Sequence, residues 1–216
     1  MKTFFKKIGS FFWPITTKIP SDINGDLELT WYQGVKVLDT KNANFSYGSL
    51  DKILDIVFKH TTINPTDKVL VLGLGGGNFI QKIKKEFSYK GFLTAVELDA
   101  QIIKIATEEF AISTNKNIQI IHQDALEFVK NTKQDFDFIL IDIFVDNIVP
   151  DTFYDIDFWQ DINSILKPKG RFVFNAGTTK IEVSKINTLI DYLKGKMFVF
   201  KKEKVNNTNT LIFGEK

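Results

Sequence analysis

Cysteine is absent from this chain of 216 residues. A protein without cysteine forms no disulfide, binds no metal through thiolates and has no thiol nucleophile. Histidine is scarce too, because His60 and His122 lie far apart, one near the end of a predicted helix and one near the end of a predicted strand. The sequence therefore predicts no metal site.

Arginine and long apolar runs are also scarce. Of the 28 basic residues only Arg171 is an arginine, the residue preferred for bidentate contacts with phosphates and bases. We therefore expect no nucleic-acid partner. No stretch reaches the roughly 20 apolar residues of a membrane-spanning helix, and Lys6 and Lys7 interrupt the aromatic start, which no signal-peptidase site follows. These features predict a cytoplasmic protein without membrane insertion.

The segment 1–14 is rich in aromatic side chains and lysine. So many rings are costly to leave in water, and we expect them to pack on their own domain or across the interface of a symmetric homodimer. The alternative is attachment of an amphipathic segment to a membrane surface through Lys2, Lys6 and Lys7. The residues expected to pack are Phe4, Phe5, Ile8, Phe11, Phe12 and Trp13.

The stretch from Val69 to Glu97 is the most informative part of the chain. Four apolar residues lead into a glycine cluster at 73–77, and a second apolar run ends in Glu97. This pattern predicts a buried parallel strand, a glycine turn, a helix and a second strand with a carboxylate at its tip. Glycines let a ligand approach the backbone, and a carboxylate about 20 residues further on suits ribose hydroxyls. The stretch therefore predicts an adenosine-type cofactor.

The spacing of the glycines separates two kinds of cofactor. A dinucleotide fingerprint requires a third glycine where Asn78 stands, which weighs against a nicotinamide dehydrogenase. The glycines instead alternate at Gly73, Gly75 and Gly77, a spacing that resembles the first motif of class I S-adenosylmethionine (SAM)-dependent transferases. An isolated glycine cluster can also be an ordinary tight turn. The residues at the ends of the later strands are therefore needed to tell a cofactor-binding loop from such a turn.

Strand and helix patterns alternate after this turn. Strands are predicted near 68–73, 92–97, 118–122, 136–142 and 171–175, and helices near 78–87, 100–111, 124–131 and 153–166. A helix near 180–194 then precedes strands at 197–202 and 210–213, which pair antiparallel. The sequence predicts an α/β, Rossmann-like class I SAM-transferase fold with a seven-stranded, mostly parallel sheet and an antiparallel C-terminal strand pair.

The N-terminal region is predicted as a small separate unit. Residues 26–38 alternate apolar and polar side chains around Gln33 and Gly34, which predicts a β-hairpin. Ser49 is expected to cap a helix that runs to about His60. We place the domain boundary there, with the aromatic segment and hairpin at 1–48 and the catalytic domain at 49–216.

Two more carboxylates stand where predicted strands end. Ligands of open α/β sheets bind beyond these ends. Asp124 is expected to accept the adenine amino hydrogen, although it also suits a helix N-cap. Asp142 follows the buried stretch 136–141 and is expected near the sulfonium or the acceptor, with capping of the next loop as its other role. Agreement among three strand ends favours a ligand site.

These pieces, taken in order, resemble the spermidine synthase superfamily, a branch of the class I SAM-binding fold. The resemblance runs from about residue 27 to residue 175 and includes a K-P-K-G turn similar to the K-P-G-G turn of the family. The matching pieces are G-V-K-V-L-D (34–39), F-S-Y (45–47), V-L-V-L-G-L-G-G-G (69–77), V-E-L-D (96–99), Q-D-A (123–125), D-F-I-L-I-D (137–142) and F-Y-D-I-D-F-W-Q-D-I-N-S-I-L-K-P-K-G (153–170).

Departures from the family pattern bear on the activity. Polyamine-forming members carry an aspartate at the position of Gly76 and an acid at the position of Ser49, two residues after the tyrosine that matches Tyr47. In the loop after the fourth strand the second aspartate is shifted by one to Asp146, and residues 143–145 are apolar. A diamine needs a carboxylate at each end of its slot. The resemblance therefore implies a spermidine-synthase-like methyltransferase with a small or partly apolar acceptor.

Three functions stay open at this point: methyl transfer from SAM, aminopropyl transfer from decarboxylated SAM, and nucleoside binding or scaffolding without catalysis. The presence of all three carboxylates favours an enzyme. Asp142 is the expected catalytic carboxylate with Tyr47 as its neighbour; the glycine loop is expected at the amino-acid portion, Glu97 at the ribose, and Asp124 with Ala125 at the adenine. The expected cofactor-binding residues are Gly73, Leu74, Gly75, Gly77, Asn78, Glu97, Leu98, Asp124, Ala125 and Asp142.

Overall fold

The computed structural model describes residues 2–42, 46, 48–177, 182–206 and 209–216. The helices in these residues are α1 (Lys2–Gly9), α2 (Ser49–His60), α3 (Asn78–Phe87), α4 (Ala100–Phe110), α5 (Ala125–Asn131), α6 (Ile156–Ile165) and α7 (Glu182–Lys194). The strands are β1 (Ile15–Ser21), β2 (Gly25–Tyr32), β3 (Val35–Asp39), β4 (Val69–Leu72), β5 (Leu93–Glu97), β6 (Ile118–His122), β7 (Phe136–Ile141), β8 (Leu166–Asn175), β9 (Phe198–Val205) and β10 (Asn209–Glu215).

The described residues form a large sheet of seven strands in the order β6-β5-β4-β7-β8-β10-β9. The strands from β4 to β8 pair parallel, and β10 pairs antiparallel with both β8 and β9. From β4 the chain builds outward through β5 and β6 and then returns to β7 on the other side of β4. The predicted Rossmann-like fold is confirmed, and its strand order reverses between β4 and β7, where open α/β sheets bind ligands.

Apolar side chains cover both faces of this sheet. All four residues of β4 are buried, as expected for a central parallel strand. On one face Trp159 is fully buried against Phe172 and Phe174, and its indole nitrogen donates to the carbonyl of Phe153 at 3.0 Å. Truncating a core aromatic of this kind costs about 3–5 kcal/mol. The packing therefore fixes the strand ends from which the site is built.

The N-terminal unit is a three-stranded antiparallel sheet of order β1-β2-β3. The predicted hairpin around Gln33 is present as β2 and β3, but the prediction omitted β1 and is corrected here. Pro20 lies in β1, where an edge strand tolerates a residue without a backbone N–H. One face of the sheet packs Leu27, Leu29 and Leu38 on α4, so the small sheet is fixed to the large domain.

Three local predictions were wrong. Ser49 is the first residue of α2, and Gly48 occupies the cap position. The helix predicted over 153–166 is a 3₁₀ turn (Asp151–Tyr154) followed by α6, because Asp155 between them has extended backbone. The K-P-K-G stretch lies within β8, whose pairing with β7 is irregular near Phe136.

The N-terminal aromatic side chains are mostly exposed, although the ring of Phe11 lies over Gly34. The prediction that they pack on their own domain was therefore wrong for most of them. Phe12 is 84% exposed and Trp13 is 78% exposed. The homodimer interface stays a prediction. None of the described helices has both the length and the apolar character needed to cross a bilayer.

Candidate cofactor and acceptor site

A cavity of about 410 Å³ opens at the carboxyl ends of β4, β5 and β7. Tyr47, the predicted neighbour of the catalytic carboxylate, lies outside the described residues. Gly77 is the one predicted cofactor residue among the described residues that does not line the cavity. The predicted residues that line it are Gly73, Leu74, Gly75, Asn78, Glu97, Leu98, Asp124, Ala125 and Asp142.

The glycine turn brings backbone to the cavity wall without side chains. Gly73 has φ +93°, and a Cβ there would lie 2.1 Å from the carbonyl oxygen of Asp142. Only glycine permits both that conformation and that approach. Gly77, with φ +78°, is the N-cap of α3 and packs against Ile112. Gly77 therefore shapes the turn, while Gly73 and Gly75 face the cavity.

Glu97 joins the tip of β5 to the glycine turn. One carboxylate oxygen accepts from the backbone N–H of Leu74 at 2.8 Å, and the other accepts from the N–H of Asp99 at 2.9 Å. Burial raises the pKa of Glu97, and these two donated hydrogen bonds oppose the rise. The carboxylate thus lines the cavity in a fixed position.

Asp124 stands on the wall formed by the end of β6. Its Oδ1 caps α5 by accepting from the N–H groups of Leu126 at 2.7 Å and Glu127 at 3.2 Å. The capping role considered in the sequence is therefore present. Within the described part of the chain no hydrogen bond engages Oδ2, so a cap and a ligand contact are compatible. Ala125 and Leu98 complete this wall.

Asp142, at the tip of β7, is held by a chain of amides. Asn175 at the end of β8 donates to its Oδ1 at 2.9 Å, and Asn209 donates to the side-chain oxygen of Asn175 at 2.8 Å. Burial raises the pKa of Asp142, while the hydrogen bond from Asn175 lowers it. Such an environment places a carboxylate closer to the range of a general base than one in water.

The small sheet closes the other side of the cavity. Asn24, in the turn between β1 and β2, donates to Asp99 at 2.8 Å and accepts from the backbone N–H of Asp146 at 3.2 Å. The carboxylate of Asp146 accepts from Thr40 at 2.5 Å and from Asn42 at 2.6 Å. Asp146 therefore ties the loop after β7 to the small sheet, and it does not line the cavity.

Charge is distributed unevenly along the cavity. The apolar residues Ile143, Phe144 and Val145 line it, as do Leu50, Ile53 and Phe153. Among the described residues its acidic lining consists of Glu97, Asp124 and Asp142, and no basic side chain contributes. Glu97 and Asp124 accept hydrogen bonds from backbone N–H groups, whereas Asp142 accepts from the side chain of Asn175.

Among the lining residues that the sequence analysis missed, Asn24, Asn175 and Asn209 make the hydrogen bonds described above. Asn175 ends a buried apolar run, the same signal that identified Asp142, and could have been found by that rule. Asn24 and Asn209 lie at turns in other parts of the chain. Their approach depends on how the small sheet and β10 pack, which no local pattern in the sequence encodes.

The sheet order, the glycine turn and the carboxylates at the strand tips define a Rossmann-like domain of the class I SAM-transferase fold. In agreement, the structure of human methyltransferase-like protein 13 in complex with SAH is similar at a TM-score of 0.61 and 23% identity, over 77% of this chain and 80% of that one. A family model, the spermine/spermidine synthase domain, matches residues 53–208. The chain belongs to this family.

Curated relatives carry two different activities. The polyamine aminopropyltransferase 2 of Aquifex aeolicus is 29% identical over 122 residues, which are 52% of this chain and 24% of that protein. The eEF1A lysine and N-terminal methyltransferase homolog of Drosophila melanogaster is 28% identical over 138 residues, 60% of this chain and 20% of that protein. This chain thus spans about a quarter or less of either relative.

Proposed function

We propose that this protein is a SAM-dependent methyltransferase of the spermidine-synthase-like family that acts on a small, partly apolar acceptor. Family membership supports a transferase, and the carboxylates around the cavity support an adenosine-containing donor. The observation that carries the choice of methyl transfer is the acidic lining described above, in which Asp142 is the single carboxylate not engaged by backbone N–H groups.

The residues around the cavity fit SAM chemically. The bare backbone of Gly73 and Gly75 leaves room for the amino-acid portion, Glu97 suits the ribose hydroxyls, and Asp124 Oδ2 suits the adenine amino group. The first turn of α3 carries no acidic residue, and the N-terminus of a helix favours a carboxylate ligand. Decarboxylated SAM lacks that carboxylate, so this end of the cavity favours SAM itself.

A diamine acceptor fits the cavity poorly. Buried ammonium groups must be paired, yet Asp146 is held by Thr40 and Asn42 away from the cavity. An acid at position 76 has no space either, because a Cβ on Gly76 would lie 2.5 Å from that of Ser46. The acceptor side therefore offers one carboxylate, that of Asp142, and an apolar wall.

The chemistry required of the protein is modest. A bound SAM would supply an electrophilic methyl carbon on a positive sulfur; the bond from the acceptor to this carbon would form as the carbon–sulfur bond breaks, with neutral S-adenosylhomocysteine as the leaving group. Asp142 accepts a proton from the attacking atom of the acceptor, and Asn175 holds its carboxylate in place. The apolar residues 143–145 exclude water and orient the acceptor, which is the main route by which such an enzyme lowers the barrier.

Calorimetric titration with SAM, decarboxylated SAM, methylthioadenosine and NAD, side by side, tests the proposed donor. We expect SAM to bind most tightly and NAD not to bind. Tightest binding of NAD would contradict the donor assignment, and binding of none of the four would favour a scaffold.

Aminopropyl transfer is the second candidate, and the family match with its Aquifex relative favours it. The protein is incubated with decarboxylated SAM and putrescine, and spermidine is sought by mass spectrometry. We expect putrescine to be a poor substrate. Turnover of about 1 s⁻¹, within the ordinary range for enzymes, would reverse the order of the two candidates.

A further inference from the structure

Exposed apolar side chains are concentrated at the N-terminus of the described chain. We call this surface the N-terminal patch. Its members range from 46% exposed for Ile8 to 84% exposed for Phe12. Scattered exposed apolar residues are normal, but a contiguous group marks an interaction surface. The N-terminal patch consists of Phe4, Phe5, Ile8, Phe11, Phe12 and Trp13.

The N-terminal patch is fixed to the small sheet through buried Ser10. The hydroxyl of Ser10 donates to the carbonyl of Lys7 at 2.7 Å and accepts from the backbone N–H of Gly34 at 2.9 Å, and its carbonyl accepts from Gln33 at 3.0 Å. Gly34 lies under the ring of Phe11, where a Cβ would come within 2.8 Å. The rings are thus presented from a defined position at the tip of the β2–β3 hairpin.

This surface is separate from the cofactor and acceptor site. The small sheet reaches the cavity with Ile23 and Asn24, which precede β2, while the patch sits at Gln33, which follows it. The eight residues of β2 extend about 25 Å at roughly 3.3 Å per residue. The aromatic residues therefore form no part of the wall that contacts an acceptor.

The charge around the patch is one-sided. Residues 1–14 contain Lys2, Lys6 and Lys7 and no acidic residue. The next lysine along the chain, Lys18, is paired with Asp26 and Glu28 of β2 and does not add to this charge. Without these three lysines the formal charge of +2 becomes −1 for the rest of the chain. A symmetric contact between two copies would set one group of lysines against the other, and like charges brought together are unfavourable. The partner that fits is therefore acidic and offers an apolar layer.

We propose that the N-terminal patch binds the surface of a bilayer that contains anionic lipid. Aromatic side chains are favoured at the boundary between headgroups and acyl chains, and lysines beside them are attracted to phosphate-bearing headgroups. The segment lies in the interface and does not span it, so attachment is peripheral and depends on ionic strength. The proposal is independent of the proposed transferase activity.

Co-sedimentation with vesicles tests the proposal. The full chain is mixed with vesicles of phosphatidylcholine alone or of phosphatidylcholine with phosphatidylglycerol, at low and high salt. We expect binding to the anionic vesicles alone, weakened by salt. Reversing the charge of both Lys6 and Lys7 to glutamate should weaken binding by about 30-fold or more, since each lysine near a membrane contributes roughly a factor of 5.

Matched variants distinguish binding through the N-terminal patch from nonspecific binding through any exposed lysine pair or any exposed ring. Lys84→Glu with Lys85→Glu reverses another adjacent, exposed lysine pair, and Phe198→Ser removes another exposed ring, which is 69% exposed. Both controls should bind as the parent does, while Phe12→Ser with Trp13→Ser should not bind. Failure of the parent to bind anionic vesicles, or equal binding by all variants, would overturn the proposal. A dimer in sedimentation equilibrium that Phe12→Ser with Trp13→Ser dissociates would instead identify a second copy as the partner.

Discussion

Replacement of Glu97 by alanine gives the sharpest test of the cofactor site. The Glu97 carboxylate faces the cavity, and its removal eliminates the proposed hydrogen bond to the ribose. A charge-assisted, partly buried hydrogen bond contributes about 1.5–3 kcal/mol, so SAM affinity should fall by roughly 10-fold to 150-fold. The variant also leaves the N–H groups of Leu74 and Asp99 without their acceptor, which should cost about 1–3 kcal/mol of stability.

Two controls separate a ribose contact from a disturbed glycine turn. Glu127→Ala removes an exposed carboxylate that does not line the cavity and should leave affinity unchanged. Circular dichroism first establishes that Glu97→Ala is folded. Titration with adenosine and 2′-deoxyadenosine then compares the two ligands in both proteins, as a double-mutant cycle. The parent should bind adenosine more tightly than 2′-deoxyadenosine, and the variant should bind both equally, because the variant has no carboxylate to accept from the 2′-hydroxyl. Unchanged SAM affinity in a folded Glu97→Ala protein would refute the assignment.

Two further predictions concern the scaffold and use three variants. Burial, together with the neighbouring carboxylate of Glu28, raises the pKa of Asp39 from 3.8 to about 6. The folded state therefore favours the protonated form, and the parent loses stability as the pH rises from about 4 through 6. After allowance for solvent screening, this loss in the free energy of unfolding is about 1–2 kcal/mol. Asp39→Asn should remove this dependence in urea unfolding, and an identical dependence in both proteins would contradict the reasoning. Gly73→Ala should lower the free energy of unfolding by over about 3 kcal/mol, because the added Cβ would meet the backbone of Asp142. Gly25→Ala is the control, since Gly25 also has a positive φ of +68° but open space around it, and it should cost about 1 kcal/mol. Equal losses in the two variants would show that backbone conformation alone explains both.

The sequence predicts the parts of the fold whose signals are local. Buried strands such as β4 and the glycine turn carry their pattern within a few residues, and the carboxylates Glu97, Asp124 and Asp142 could be located because parallel strands end at one edge of a sheet. Nine of the predicted cofactor residues line one cavity for that reason. Their roles toward a ligand stay predictions, as do the domain boundary and the cytoplasmic location.

The errors arise where a contact distant in sequence decides the outcome. β1 pairs along residues 25–31 of β2. The alternation of apolar and polar residues within 15–21 does not by itself predict that pairing. The N-terminal aromatic side chains were expected to pack because burial of rings is favourable. Ser10 instead fixes that segment to the tip of the β2–β3 hairpin, and the rings stay exposed there. Asp146 resembled a displaced ligand residue, and only the fold reveals that Thr40 and Asn42 occupy it.

Asn24 connects two walls of the cavity by hydrogen bonds. It bonds to Asp99 on the β5 side and to the backbone of Asp146 on the β7 side, so one turn of the small sheet sets the gap between the two walls. This turn lies before residue 53, where the family match begins. Replacing the N-terminal sheet would therefore alter the width of the cavity entrance while every predicted cofactor residue stayed the same, which makes this sheet the natural unit for redesigning that entrance.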